Sequence, residues 1–140
     1  MKPQEYLFVY GTLLKNMQHA MHQPITRYAE FIDTAHFQGK LYEVNGYPCA
    51  IYSPLTSEHV FGELYCLHQA EELFLLLDDY EGCSQRFPTP TEYIRQKMPV
   101  FSTTGQGVLA WIYLYNWKIH GLQRIYSGNY LHFTHQQIAV

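Results

Sequence analysis

Between Glu5 and Asn116 the chain is cut by Gly, Pro and Asn-Gly into short apolar segments, and one interval alone is regular enough for a substantial helix. That interval is Gln69–Tyr80, where Leu73, Leu76, Leu77 and Tyr80 recur at i, i+3, i+4 and i+7 and Phe74 widens the stripe. Gly82 stands where a C-terminal cap belongs, so the helix is expected to stop at Glu81. Around it the alternation has the two-residue period of strands. Glu5–Tyr10 reads as a strand entering a tight turn at Gly11-Thr12. Ala29–His36, Lys40–Val44, Ala50–Ser53 and His59–Leu67 follow, separated by Gly39, Asn45-Gly46, Pro48 and Pro54. Thr91–Phe101 and Gly107–Asn116 form a last pair across a turn-rich connection. Lys15–His22 reads as a short helix closed by Pro24, and the tail beyond Trp117 has no strong period apart from a turn at Ser127-Gly128-Asn129. Many short strands around one helix predict a small, partly closed β-barrel decorated by helices.

Composition narrows the class. With 140 residues, 47% of them hydrophobic and 15% charged, the chain can bury a core of its own, and a single domain over residues 1–140 is expected. A net charge of −3 with nine scattered basic residues argues against nucleic acid as a partner. The longest apolar run, Leu73–Leu77, is too short for a bilayer, and Met1–Glu5 has no signal-peptide pattern. Three cysteines, Cys49, Cys66 and Cys83, fit reduced thiols and a cytoplasmic location. Without a heptad or an interface stripe, a monomer is the default.

Three features point to chemistry. Tyr10-Gly11-Thr12-Leu13 follows a strand, and successive N–H groups in such a turn make an anion-binding nest. No Gly-Lys-Ser/Thr follows to make it a P-loop, and an ordinary strand-ending turn accounts for the same residues. Asp78-Asp79-Tyr80-Glu81-Gly82 places three acids at a helix C-terminus, where each costs roughly 0.3–1 kcal/mol against the macrodipole. A carboxyl so placed, beside like charges and an aromatic ring, should have a raised pKa suited to a general base, although a solvated acidic helix end is the plain alternative. Tyr93, Tyr113, Tyr115, Tyr126 and Tyr130 are mostly half-buried sheet residues, of which one or two line a polar pocket. His19 with His22 and His132 with His135 repeat a one-turn spacing without a third ligand, so surface or partly buried histidine is the better reading than metal. Cys83 reads as a small apolar filler rather than a reactive thiol.

Taken in order, Tyr10-Gly11-Thr12-Leu13, Gly39-Lys40-Leu41-Tyr42, Gly46-Tyr47-Pro48, Val60–Tyr65, Leu77–Gly82, Tyr93-Ile94-Arg95 and Ala110-Trp111-Ile112-Tyr113 resemble the γ-glutamylcyclotransferase-like superfamily. The likeness is to its AIG2-like and γ-glutamylamine cyclotransferase branch, and it is strongest over residues 6–115. The resemblance implies an α+β fold, a small mixed β-barrel with flanking helices. It implies release of 5-oxoproline from a γ-glutamyl amine or peptide by intramolecular aminolysis, with no metal or organic cofactor. Glu81 matches the family's catalytic glutamate, Tyr10, Gly11, Thr12 and Leu13 the loop that holds the γ-glutamyl group, and Tyr113 a pocket tyrosine. The segment Cys83–Glu92 runs longer than the family pattern, which implies a reshaped pocket rim. A small-metabolite binding protein that keeps the same pocket without turnover is the alternative, and a protein-interaction domain with a vestigial pocket a third.

Overall fold

The computed structural model describes residues 4–11, 13–14, 17 and 19–138, with side chains as far as Thr134. In chain order the elements are β1 (Glu5–Val9), α1 (His22–Tyr28), β2 (Ala29–Val44), β3 (Tyr47–Tyr52), β4 (His59–Leu67), α2 (Ala70–Tyr80), β5 (Tyr93–Ser102), β6 (Gly107–Tyr115), β7 (Gln123–Arg124) and α3 (Tyr130–Ile138). Five strands close on themselves in the order β2-β4-β1-β6-β5, with β5 returning to pair with β2 at Ala35–Phe37. Each neighbouring pair in the ring is antiparallel except β1 and β6, which run parallel with Leu7 opposite Trp111. The fold is therefore a small mixed barrel, and β3 and β7 add to the far half of β2.

The two-residue period sorts β1 into two cores. Phe8 points into the barrel with Phe37, Val60, Val100 and Ile112. Leu7 and Val9 point outward, under Ile25 of α1 and Leu73 and Leu77 of α2. A strand buried on both faces reads as a continuous apolar run, and β1 does.

Several boundaries differ from the sequence expectation, each for a physical reason. Lys15, Asn16 and Gln18 lie outside the described residues, and the helix of this region is His22–Tyr28, which begins where it was expected to end. Pro24 sits in its first turn, where the missing N–H has no intrahelical acceptor to lose. Gly39 does not break a strand; β2 runs through it. A Cβ there would strike the Ile51 carbonyl and the Phe37 ring, so the glycine serves close packing. On α2 the buried stripe is Leu73, Phe74 and Leu77, while Leu76 and Tyr80 are exposed. The tail carries a helix that the sequence did not announce: Tyr130 and Phe133 of α3, with Ile125, close one end of the barrel core.

Candidate active site

The site is built where β1 ends, where α2 ends, and where β3 passes between them. Glu81 N–H donates to the Leu77 carbonyl, Gly82 N–H to Asp79 and Cys83 N–H to Asp78, the pattern of a Schellman cap with Gly82 at φ 72°. The cap turns the chain sharply at Glu81. Asp78, one turn earlier, receives two hydrogen bonds from Arg95 of β5, at 2.9 and 3.2 Å, and one from the Tyr113 hydroxyl of β6 at 2.7 Å. The helix end is thereby tied to two barrel strands. Arg86 and Ser84 satisfy Asp79, whose carboxyl is held below its usual range first by the Arg86 hydrogen bond. Two of the three acids are therefore engaged by donors, which offsets the macrodipole cost that the sequence predicts.

Glu81 is the third, and it faces a cavity of about 400 Å³. Burial, then the charges of Glu92 and Asp78, push its pKa up to about 8. Among the described residues no hydrogen bond reaches its carboxyl. A carboxyl that is protonated over part of the neutral range and open to the cavity can accept and return a proton.

The opposite wall is the end of β1. The Tyr10 hydroxyl donates to the Tyr113 carbonyl at 2.5 Å and accepts from the Ala50 N–H at 3.3 Å, so it pins β1 to β6 and β3. Burial first and Glu81 second hold this phenol well above its ordinary pKa. Gly11 lies against Pro48, where a Cβ would collide with the proline ring. Tyr93 donates to the Pro48 carbonyl at 2.7 Å. The hydroxyls of Tyr10, Tyr93 and Tyr113 are thus bonded to the protein, and these residues line the cavity with hydroxyls already fixed.

Tyr10, Gly11, Leu13, Glu81 and Tyr113 all line this one cavity; Thr12 lies outside the described residues. Of the other late tyrosines, Tyr93 lines the cavity, Tyr115 packs on its ring at 5.5 Å, Tyr126 is exposed and Tyr130 is in the barrel core. His19 accepts from the Met21 N–H, while His22 Nδ1 lies 2.8 Å from the Leu13 carbonyl; the two rings serve different partners. The Cys83 thiol is pushed up to about 12 by burial and by Asp78 and Glu81, which leaves it un-ionised at neutral pH. Sequence reasoning did not single out Glu92, Tyr47 or Phe87, which also line the cavity. The longer 83–92 segment was the available signal, since it supplies two of the three.

Comparison with known proteins agrees with this architecture. The family model described as gamma-glutamyl cyclotransferase, AIG2-like, matches residues 7–132. MJ1514 of Methanocaldococcus jannaschii, provisionally named a gamma-glutamylcyclotransferase, is 31% identical over 113 residues, 79% of this chain and 84% of its own. Among solved structures, YkqA of Bacillus subtilis superposes with a TM-score of 0.73 at 22% identity over 99% of this chain, which spans 44% of YkqA. An AIG2-like protein of Mus musculus superposes with a TM-score of 0.59 at 22% identity, over 81% of this chain and 78% of its own. No helix among the described residues is long and apolar enough to cross a membrane.

Proposed function

This chain belongs to the AIG2-like γ-glutamyl cyclotransferase family, and on that premise we propose that it releases 5-oxoproline from a γ-glutamyl amine or peptide, with Glu81 as general base and then general acid. The observation that carries the reading is the Glu81 carboxyl, unengaged by donors among the described residues, in an aromatic cavity and with its pKa pushed up to about 8.

The substrate's α-amino group is an ammonium at neutral pH and has no lone pair to attack with. Its charge favours the carboxylate form of Glu81, which then takes one proton. The freed nitrogen attacks the γ-carbonyl carbon and closes a five-membered ring. Attack leaves the ring nitrogen cationic with two hydrogens. Collapse of the tetrahedral intermediate breaks the original amide C–N bond as the proton held on Glu81 passes to the departing nitrogen. The regenerated carboxylate then takes the second proton from the ring nitrogen and passes it to the released amine. The products are 5-oxoproline and the amine in its ammonium form, with no water consumed. Ring closure is intramolecular, so a cavity that holds the glutamyl chain folded supplies much of the acceleration. Backbone N–H groups around Gly11 are the proposed donors to the α-carboxylate or the developing oxyanion.

The test is mass-spectrometric detection of 5-oxoproline from γ-glutamyl amino acids, γ-glutamyl-ε-lysine and glutathione, with wild type and Glu81→Gln. Release from at least one compound by wild type, abolished in the variant, is expected. Release that survives in Glu81→Gln removes Glu81 from the mechanism. Saturable binding by wild type with no release would instead make this a binding protein that keeps the family pocket.

A further inference from the structure

Proton transfer by Glu81 leaves one charged group of the cavity unused. Among the described residues that line it, Glu81 and Glu92 carry charge, and both are acids. Glu92 lies immediately before β5, and its two carboxylate oxygens sit 3.3 and 3.2 Å from the Tyr47 hydroxyl. One distant donor uses little of a carboxylate's acceptor capacity. The rings of Tyr47, Phe87 and Tyr93 line the same cavity, Tyr47 and Tyr93 with centroids 6.3 Å apart.

A carboxylate among aromatic rings attracts an alkylammonium by charge and by the ring quadrupole, and it repels a carboxylate. Among the described residues no cation pairs with Glu92. Arg86, whose guanidinium lies 4.4 Å from the Phe87 centroid, is bonded to Asp79, and Arg95 is bonded to Asp78. Two carboxylates on one cavity suit a ligand with two cationic centres. The α-ammonium of a γ-glutamyl group supplies one, so the other belongs on the part that leaves.

Resting on the cyclotransferase reading above, we propose that Glu92 with the rings of Tyr47 and Phe87 forms a subsite for an ammonium group on the departing amine, so that mono-γ-glutamyl amides of diamines are the preferred substrates. A cation at Glu92 also offsets the charge that helps to hold the Glu81 proton, which couples recognition of the leaving group to activation of the base.

Three amides of equal chain length test this: γ-glutamyl amides of 1,4-diaminobutane, n-butylamine and 4-aminobutanoate, ending in a cation, a methyl group and a carboxylate. The expected kcat/KM order for wild type is cation, methyl, carboxylate, with roughly tenfold between the first two. In Glu92→Gln that ratio should fall to about one, whatever the absolute rates. Equal kcat/KM for cation- and methyl-ended amides in wild type, or a ratio unchanged in Glu92→Gln, overturns the subsite. Calorimetric binding of the same amides to Glu81→Gln separates the two readings. The same order of Kd without release from any amide by wild type keeps the subsite and removes the cyclotransferase activity. No order in Kd removes the subsite, even where release occurs.

Discussion

At Glu81 the chemistry and the stability of the fold pull in opposite directions. Its proton is held up to about pH 8 in the folded state, against an ordinary value of 4.5 for the unfolded chain. Between those values the folded state binds the extra proton, so stability is fullest below 4.5 and declines as pH rises through 8. Glu81→Gln removes the buried ionisation. Urea denaturation at pH 5 should show little difference from wild type, whereas at pH 9 the variant should be more stable by on the order of 1–4 kcal/mol. A difference that does not grow with pH would mean that the carboxyl ionises without penalty. The same group sets the rate profile of the proposed reaction. The acid limb of kcat/KM reports the free enzyme's base, so it should fall near pH 8; a limb near 4.5 would place the base elsewhere. Glu81 was legible from its neighbours because the helix period and the cap glycine at Gly82 are local signals. The larger cause of its shift is burial, which depends on Tyr10 and Tyr93 arriving from distant strands, and no short window of sequence contains that.

The end of α2 acts as one element with the strands behind it. Asp78 is the joint: its side chain and that of Arg95 are about one-fifth exposed, and the Arg95 guanidinium lies over Phe74 at 3.8 Å and Trp111 at 4.5 Å. Arg95→Met keeps apolar contact with those rings and removes the charge. Asp78 then keeps the Tyr113 hydroxyl and the weak Cys83 thiol donor, and its unneutralised charge presses harder on Glu81. The expected outcome is a loss of about 1–3 kcal/mol in urea unfolding, together with an acid limb of kcat/KM displaced to higher pH. Lost stability with an unmoved limb would reduce the ion pair to a clamp without electrical consequence. The sequence shows Asp78, Arg95 and Tyr113 in three separate segments. Period-two faces place Arg95 with Tyr93, and Tyr113 with Tyr115, but the register that sets Arg95 opposite Tyr113 appears only in the folded sheet. Glu92 escaped notice for the same reason, because its meaning comes from Tyr47 and Glu81 across the cavity.

For the whole molecule, closure of the ring leaves an open end that the tail must fill. The apolar interior from Phe8, Phe37, Val60, Val100 and Ile112 continues into Ile125, Tyr130 and Phe133, so the tail is part of the core rather than an appendage. Its two anchors in this core are three residues apart and Leu131 between them packs against the other core, so no single helical stripe announces the helix. The barrel strands were legible because period-two alternation and turn residues recur along them; the plug was not, since its burial is decided by where the barrel ends. Tyr130 is 2% exposed and donates to the Gly46 carbonyl at 2.9 Å, which ties the plug to the β2–β3 hairpin. Removing the ring should leave a cavity facing the barrel interior, and removing the hydroxyl alone should cost only the hydrogen bond. Tyr130→Ala is therefore expected to lose about 3–5 kcal/mol in urea unfolding, and Tyr130→Phe about 1 kcal/mol. Near-wild-type stability in Tyr130→Ala would show that the five strands hold the barrel without the tail. A large loss would make the folding unit extend to α3, beyond residues 6–115 where the sequence motifs concentrate.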